Sequence, residues 1–123
     1  MEYSGNRRIH SDQDQLQVII KVTAPDGRHD SLIGAIKALL GSIRARAGCI
    51  DCHEYQDTEN PEDMALLQEW ESENAFADHV GSRDYRYILE WMEMSASVPE
   101  VTVCRGLEHR GFDVIRRLMQ VNA

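Results

Sequence analysis

From Leu16 to Thr23 the chain reads LQVIIKVT, a β-branched-rich run that stops at Ala24-Pro25-Asp26-Gly27, where Pro and Gly favour a turn. This predicts a first strand. Leu32, Ile36, Leu39, Leu40 and Ile43 then recur at i, i+4, i+7, i+8 and i+11, the apolar stripe of a helix. Asp30 and Ser31 stand where they can cap that helix, and Gly48 where a left-handed backbone can end it. Gly48 to Gln56 reads as a second strand, the acidic segment 57–63 as a solvated hairpin loop, and Met64 to Glu71 as a third strand. Ser72 is placed to cap a short helix in which Phe76, His79 and Val80 share one face. Gly81-Ser82 breaks and recaps the chain, and Tyr85, Ile88, Leu89 and Met92 mark the next helical stripe. After Pro99, alternation at Val101, Val103, Arg105 and Leu107 predicts a fourth strand, and Phe112, Ile115 and Met119 a last amphipathic helix.

The order βαββαβ with a helical tail predicts an α+β domain of ferredoxin-like type. Its four-stranded antiparallel sheet carries helices on one face only. The expected divisions are a polar N-terminal arm over 1–14, the domain over 15–110 and the extra C-terminal helix over 111–123. Both faces of the strands carry apolar residues: Val18, Ile20 and Val22 oppose Ile19, and Leu66 and Trp70 oppose Ala65 and Leu67. A solvated face should read polar, so the bare face is expected to meet a second copy of the chain. The expectation is a homodimer, two sheets facing each other in a barrel-like shell. Each copy would enclose a cavity between its own helices and sheet or near the partner's fourth strand.

A length of 123 residues allows one domain and one binding unit. The 21 acidic against 13 basic side chains, a formal net charge of −8, argue against a nucleic-acid partner. No apolar run is long enough to span a membrane. The N-terminal segment lacks the apolar centre of a secretory signal, so a cytoplasmic location is expected. Three cysteines, an odd count, suit that reducing compartment and no disulfide framework.

Candidate chemistry centres on EWESENAFADHVGSRDY, residues 69–85. Trp70 ends a strand, and His79 falls on the apolar face of the helix that follows. A lone histidine in that position can equally be a hydrogen-bonded core residue, and Trp70 and Tyr85 can equally be packing. Cys49-Ile50-Asp51-Cys52-His53 matches C-x-x-C-H, a c-type heme attachment pattern that contains a redox or zinc C-x-x-C. On a strand, residues three apart point to opposite faces and lie ~10 Å apart along the chain. The expectation is therefore no shared ligand, with one cysteine in the core and the other on the opposite face. No phosphate loop, nucleophile elbow or H-E-x-x-H helix is present. The other histidines have no ligand spacing, and no metal is expected. Glu69 is a candidate for a partly buried ion pair with Arg44, Arg46, Arg83 or Arg105.

The pieces VIIKVTAPDG, RARAGCIDCHEY, EWESENAFADHVGSRDY and PEVTVCRG resemble the antibiotic-biosynthesis monooxygenase (ABM) domain over roughly Gln17 to Leu107. The resemblance implies a dimeric α+β barrel that oxidises phenolic or quinol substrates with O2, without metal, flavin or other cofactor. His79 would then be the general base or proton shuttle, with Trp70, Tyr85 and Phe76 binding a small aromatic or quinol ligand. The alternative is a non-catalytic dimer of the same fold, a stress-response module that sequesters a small hydrophobic ligand. The heme-degrading branch of that superfamily places Trp where this chain has His79 and its heme-ligating His where this chain has Leu89, so heme degradation is not the expected activity.

Overall fold

The computed structural model describes residues 14–106 and 111–122. The expected N-terminal arm, apart from Asp14, lies outside them. Four strands, β1 (Leu16–Thr23), β2 (Cys49–Gln56), β3 (Asp63–Trp70) and β4 (Glu100–Arg105), form one antiparallel sheet in the order β2-β3-β1-β4. The helices are α1 (His29–Lys37), α2 (Leu40–Arg44), α3 (Glu73–Val80), α4 (Tyr85–Glu93) and α5 (Phe112–Val121). This is the ferredoxin-like arrangement expected from the order of the elements.

Alternation along the two central strands divides the sheet. Leu16, Val18, Ile20 and Val22 of β1 lie opposite Trp70, Gln68, Leu66 and Met64 of β3, and all eight are buried beneath the helices. Burying such stripes is the main favourable term in folding. The intervening residues Ile19, Ala65 and Leu67 are only half-buried on the face without helices. There Ile19 pairs directly with Leu67, while Gln17, Lys21 and Glu69 flank this apolar centre.

The long first helix of the sequence reading is two helices. α1 stops at Lys37 and α2 restarts at Leu40, so the chain bends around the core while Leu32, Ile36 and Ile43 stay buried. Asp30 and Ser31 lie inside the first turn instead of capping it, because Arg28 occupies the N-cap position with no side-chain bond. Gly48, at φ +85°, makes the turn into β2, and its carbonyl accepts a hydrogen bond from Glu71 N–H at 2.8 Å. A Cβ at Gly48 would overlap the Ala75 side chain of α3.

Two expectations for the cysteines and α4 need correction. A β-bulge between Cys49 and Asp51 inserts Ile50 as an extra residue, so Cys49 pairs with Trp70 and Cys52 with Gln68. Both thiols therefore join the helix-covered core instead of opposite faces. In α4 the buried positions are Tyr85, Ile88 and Trp91, whereas Leu89 is 46% exposed. Ser82 does not cap α4; its hydroxyl donates to His79 O at 2.6 Å and closes the end of α3.

α5 forms where the periodicity placed it, but none of its residues is buried. Phe112, Ile115, Leu118, Met119 and Val121 are all exposed, as are Val101 and Val103 on the edge strand β4.

Candidate functional site

The Ser72 hydroxyl accepts a hydrogen bond from Ala75 N–H at 3.1 Å and starts α3 as expected. With that start fixed, Phe76 and His79, one turn apart, both face the end of β3 that carries Trp70. Val80, expected on the same face, is 42% exposed, because the inward stripe of this short helix runs through Ala75, Phe76 and His79 and leaves Val80 to one side.

The four residues singled out from sequence come together. His79 stacks on Trp70 with ring centroids 4.8 Å apart and planes 27° apart, and Tyr85 meets it edge-on at 5.1 Å. Phe76 lies 6.5 Å from His79 and 6.1 Å from Trp70, half-buried at the margin. Trp70 and His79 have no exposed surface and Tyr85 very little. Among the described residues the four rings pack against one another. Two surface concavities, of about 450 and 530 Å³, lie toward the opposite end of β1, and neither is lined by any of these four residues.

Among the described residues neither Nδ1 nor Nε2 of His79 has a hydrogen-bond partner, so the bonds of the core-histidine reading are not found there. Burial, with the Arg46 charge nearby, lowers its pKa from 6.5 to about 4, and Asp84 only partly offsets this. The ring is therefore a neutral imidazole at physiological pH, with one nitrogen able to accept and the other to donate. Burial also raises the Tyr85 phenol, which stays protonated.

One participant was not anticipated. Gln68 is fully buried on β3, two residues before Trp70, and its Oε1 accepts the Trp70 indole N–H at 3.1 Å. Among the described residues its Nε2 has no partner, and neither does the buried Trp91 Nε1 on α4. The signal for Gln68 was a lone amide within the otherwise apolar stripe Met64, Leu66, Trp70.

The C-x-x-C-H motif does not form a site. Burial raises both thiols, Cys52 to about 12, so they remain protonated and poor ligands. His53 projects from the other face and pairs with Asp51 at 2.7 Å. Among the described residues no group of three or more His, Cys, Asp or Glu is arranged to hold a metal ion. Of the arginines considered for Glu69, Arg105 pairs with Glu73 at 2.8 Å, and Arg44 donates to Cys52 O at 2.8 Å.

One antiparallel sheet in the order β2-β3-β1-β4 with its helices on one face defines an α+β domain of ferredoxin-like type. Residues 16–91 match the family model of antibiotic biosynthesis monooxygenases, and the chain belongs to that family. The fold recurs in a conserved protein of Methanosarcina mazei Go1 (24% identity, TM-score 0.72), aligned over 78% of this chain and 96% of that one. A Mycobacterium tuberculosis protein is similar at 22% identity and TM-score 0.71, over 79% and 99% of the two chains. A solved antibiotic biosynthesis monooxygenase matches at 16% identity and TM-score 0.68, over 76% and 99%. No curated protein matches the chain by sequence. No helix among the described residues is long and apolar enough to cross a membrane.

Proposed function

We propose that this protein is a cofactor-independent monooxygenase acting on a small phenolic or quinol substrate with O2, working as a homodimer in the cytoplasm. The observation that carries this reading is a buried, neutral imidazole, unbonded at both nitrogens, inside an aromatic cluster of an ABM-family fold.

An electron-rich phenol needs only to lose its proton before it can pass an electron to O2, so the protein must supply a base and a dry place to hold the anion. His79 Nδ1 or Nε2 accepts the hydroxyl proton as the O–H bond breaks. With a pKa of about 4 the free imidazole is a weaker base than the unperturbed value suggested. The phenolate formed beside it offsets this, because an adjacent negative charge favours the imidazolium. The electron-rich anion then gives one electron to O2, leaving a substrate radical next to superoxide. Trp70 and Tyr85 hold the ring of the substrate, and Phe76, the half-buried member, is the side chain that moves to admit it.

The half-buried centre at Ile19 and Leu67 and the exposed apolar side chains of β4 and α5 support a second copy covering the open face. Three free thiols are consistent with a reducing compartment.

Oxygen uptake with menadiol tests the reaction. Wild type is expected to consume O2 about 10²-fold or more faster than His79→Ala, the lower range for removing a positioned base. Equal rates at the uncatalysed background would leave only a ligand-binding role.

A further inference from the structure

We infer that Gln68 is a ligand-binding residue of this site, donating its free amide N–H to an acceptor oxygen on the substrate while His79 takes the hydroxyl. The inference rests on the reading of the His79 cluster as a substrate site and adds a specificity to it.

The orientation of the amide follows from chemistry. An indole N–H can only donate, so the Gln68 atom facing Trp70 Nε1 at 3.1 Å is the oxygen. The NH2 group therefore points the other way, where it has no partner although the residue is fully buried. A buried donor left unpaired carries the full desolvation penalty of that group. Apolar residues fill the neighbouring inward positions of β3, Leu66 and Trp70, and β1 opposes Gln68 with Val18. Packing alone would be served by another apolar side chain. The indole whose N–H bonds Gln68 also stacks on His79, so the unpaired amide and the unpaired imidazole share one scaffold residue.

Both groups are uncharged, one offering a donor and the other an acceptor. The matching ligand is a neutral aromatic with a hydroxyl at one position and a second oxygen, as carbonyl or hydroxyl, elsewhere on the frame. A carboxylate or an amine finds no countercharge in this pair.

The test uses 4-hydroxyacetophenone and 4-isopropylphenol, which have nearly the same shape and differ in the carbonyl oxygen. Calorimetry on the wild-type protein should show the ketone binding about tenfold more tightly. Gln68→Met, which keeps the volume but also frees the Trp70 indole N–H, should abolish that preference, with the ketone losing more affinity than 4-isopropylphenol. A wild type with no preference, or a Gln68→Met that keeps it, overturns the assignment. His79→Ala should weaken both probes together. If it does while the ketone preference is absent, only the role of Gln68 fails; if His79→Ala changes neither probe, or wild type binds neither, the substrate site fails as well. Should Gln68→Met not fold, the wild-type Gln68 side-chain amide provides a direct readout by nitrogen-15 NMR. It should shift with 4-hydroxyacetophenone and stay in place with 4-isopropylphenol, and equal responses would refute the inference.

Discussion

The two faces of the sheet differ in where their polar groups are left wanting. Under the helices, fifteen of the described residues form an apolar core around a few polar side chains, and Gln68 and His79 among these are closed off from water with unbonded atoms. On the open face polar side chains have solvent or each other, as in the Asp51–His53 pair, and it is the apolar Ile19 and Leu67 that are incompletely covered. On the proposed reading the inner face takes a small molecule that can hydrogen-bond, and the outer one a second copy.

Adjacent leucines offer the sharpest way to break that contrast. Leu66→Asp buries an unpaired charge in the inner layer and is expected to destabilise the chain by ~4 kcal/mol or more, read by chemical denaturation. Leu67→Asp, one residue on, is expected to retain cooperative melting while light scattering shows the mass of a single chain. A dimer that survives Leu67→Asp would mean that the open face is not the interface.

A smaller effect distinguishes the inner face by pH. In the unfolded chain His79 regains its ordinary pKa of 6.5, against about 4 when folded. Above 6.5 both states are neutral and the stabilisation is complete. As pH falls from 6.5 to 4 the unfolded state takes up a proton that the folded state refuses, and stability declines by on the order of 3 kcal/mol. Glu54, raised by burial from 4.5 to about 6, acts in the opposite sense: its contribution is full below 4.5 and lost as pH rises through 6. His79→Phe should flatten the acid limb of a Tm-against-pH curve, and an unchanged limb would show that the imidazole is not held neutral. The smallest change concerns α3 itself. Ser72→Ala should cost ~1 kcal/mol in urea denaturation through loss of the cap to Ala75, with the fold intact.

Strand positions, most helix positions and the shared face of Phe76 and His79 were legible because each rests on local spacing: alternation in β1 and β3, the cap at Ser72, and one helical turn from Phe76 to His79. Features set by neighbouring elements were not. The bulge at Ile50 is a mismatch between β2 and β3, so nothing in CIDCH alone shows that both thiols turn inward. Trp91 and Leu89 fit the same helical stripe almost equally, and only the sheet beneath α4 decides which is buried. The ring-to-ring packing of these residues was equally invisible, because spacing assigns a face and says nothing of the distance between faces. Gln68 was visible as a residue, but its significance required knowing that Trp70 takes its oxygen.

The glycine that turns the chain into β2 has a consequence for inheritance. The backbone at Gly48 approaches Ala75 so closely that a single added methyl would have to displace the start of α3, and the imidazole is carried on that helix. A lineage could therefore displace His79 through a mutation that touches none of the four rings, and a comparison of those side chains alone would miss the change.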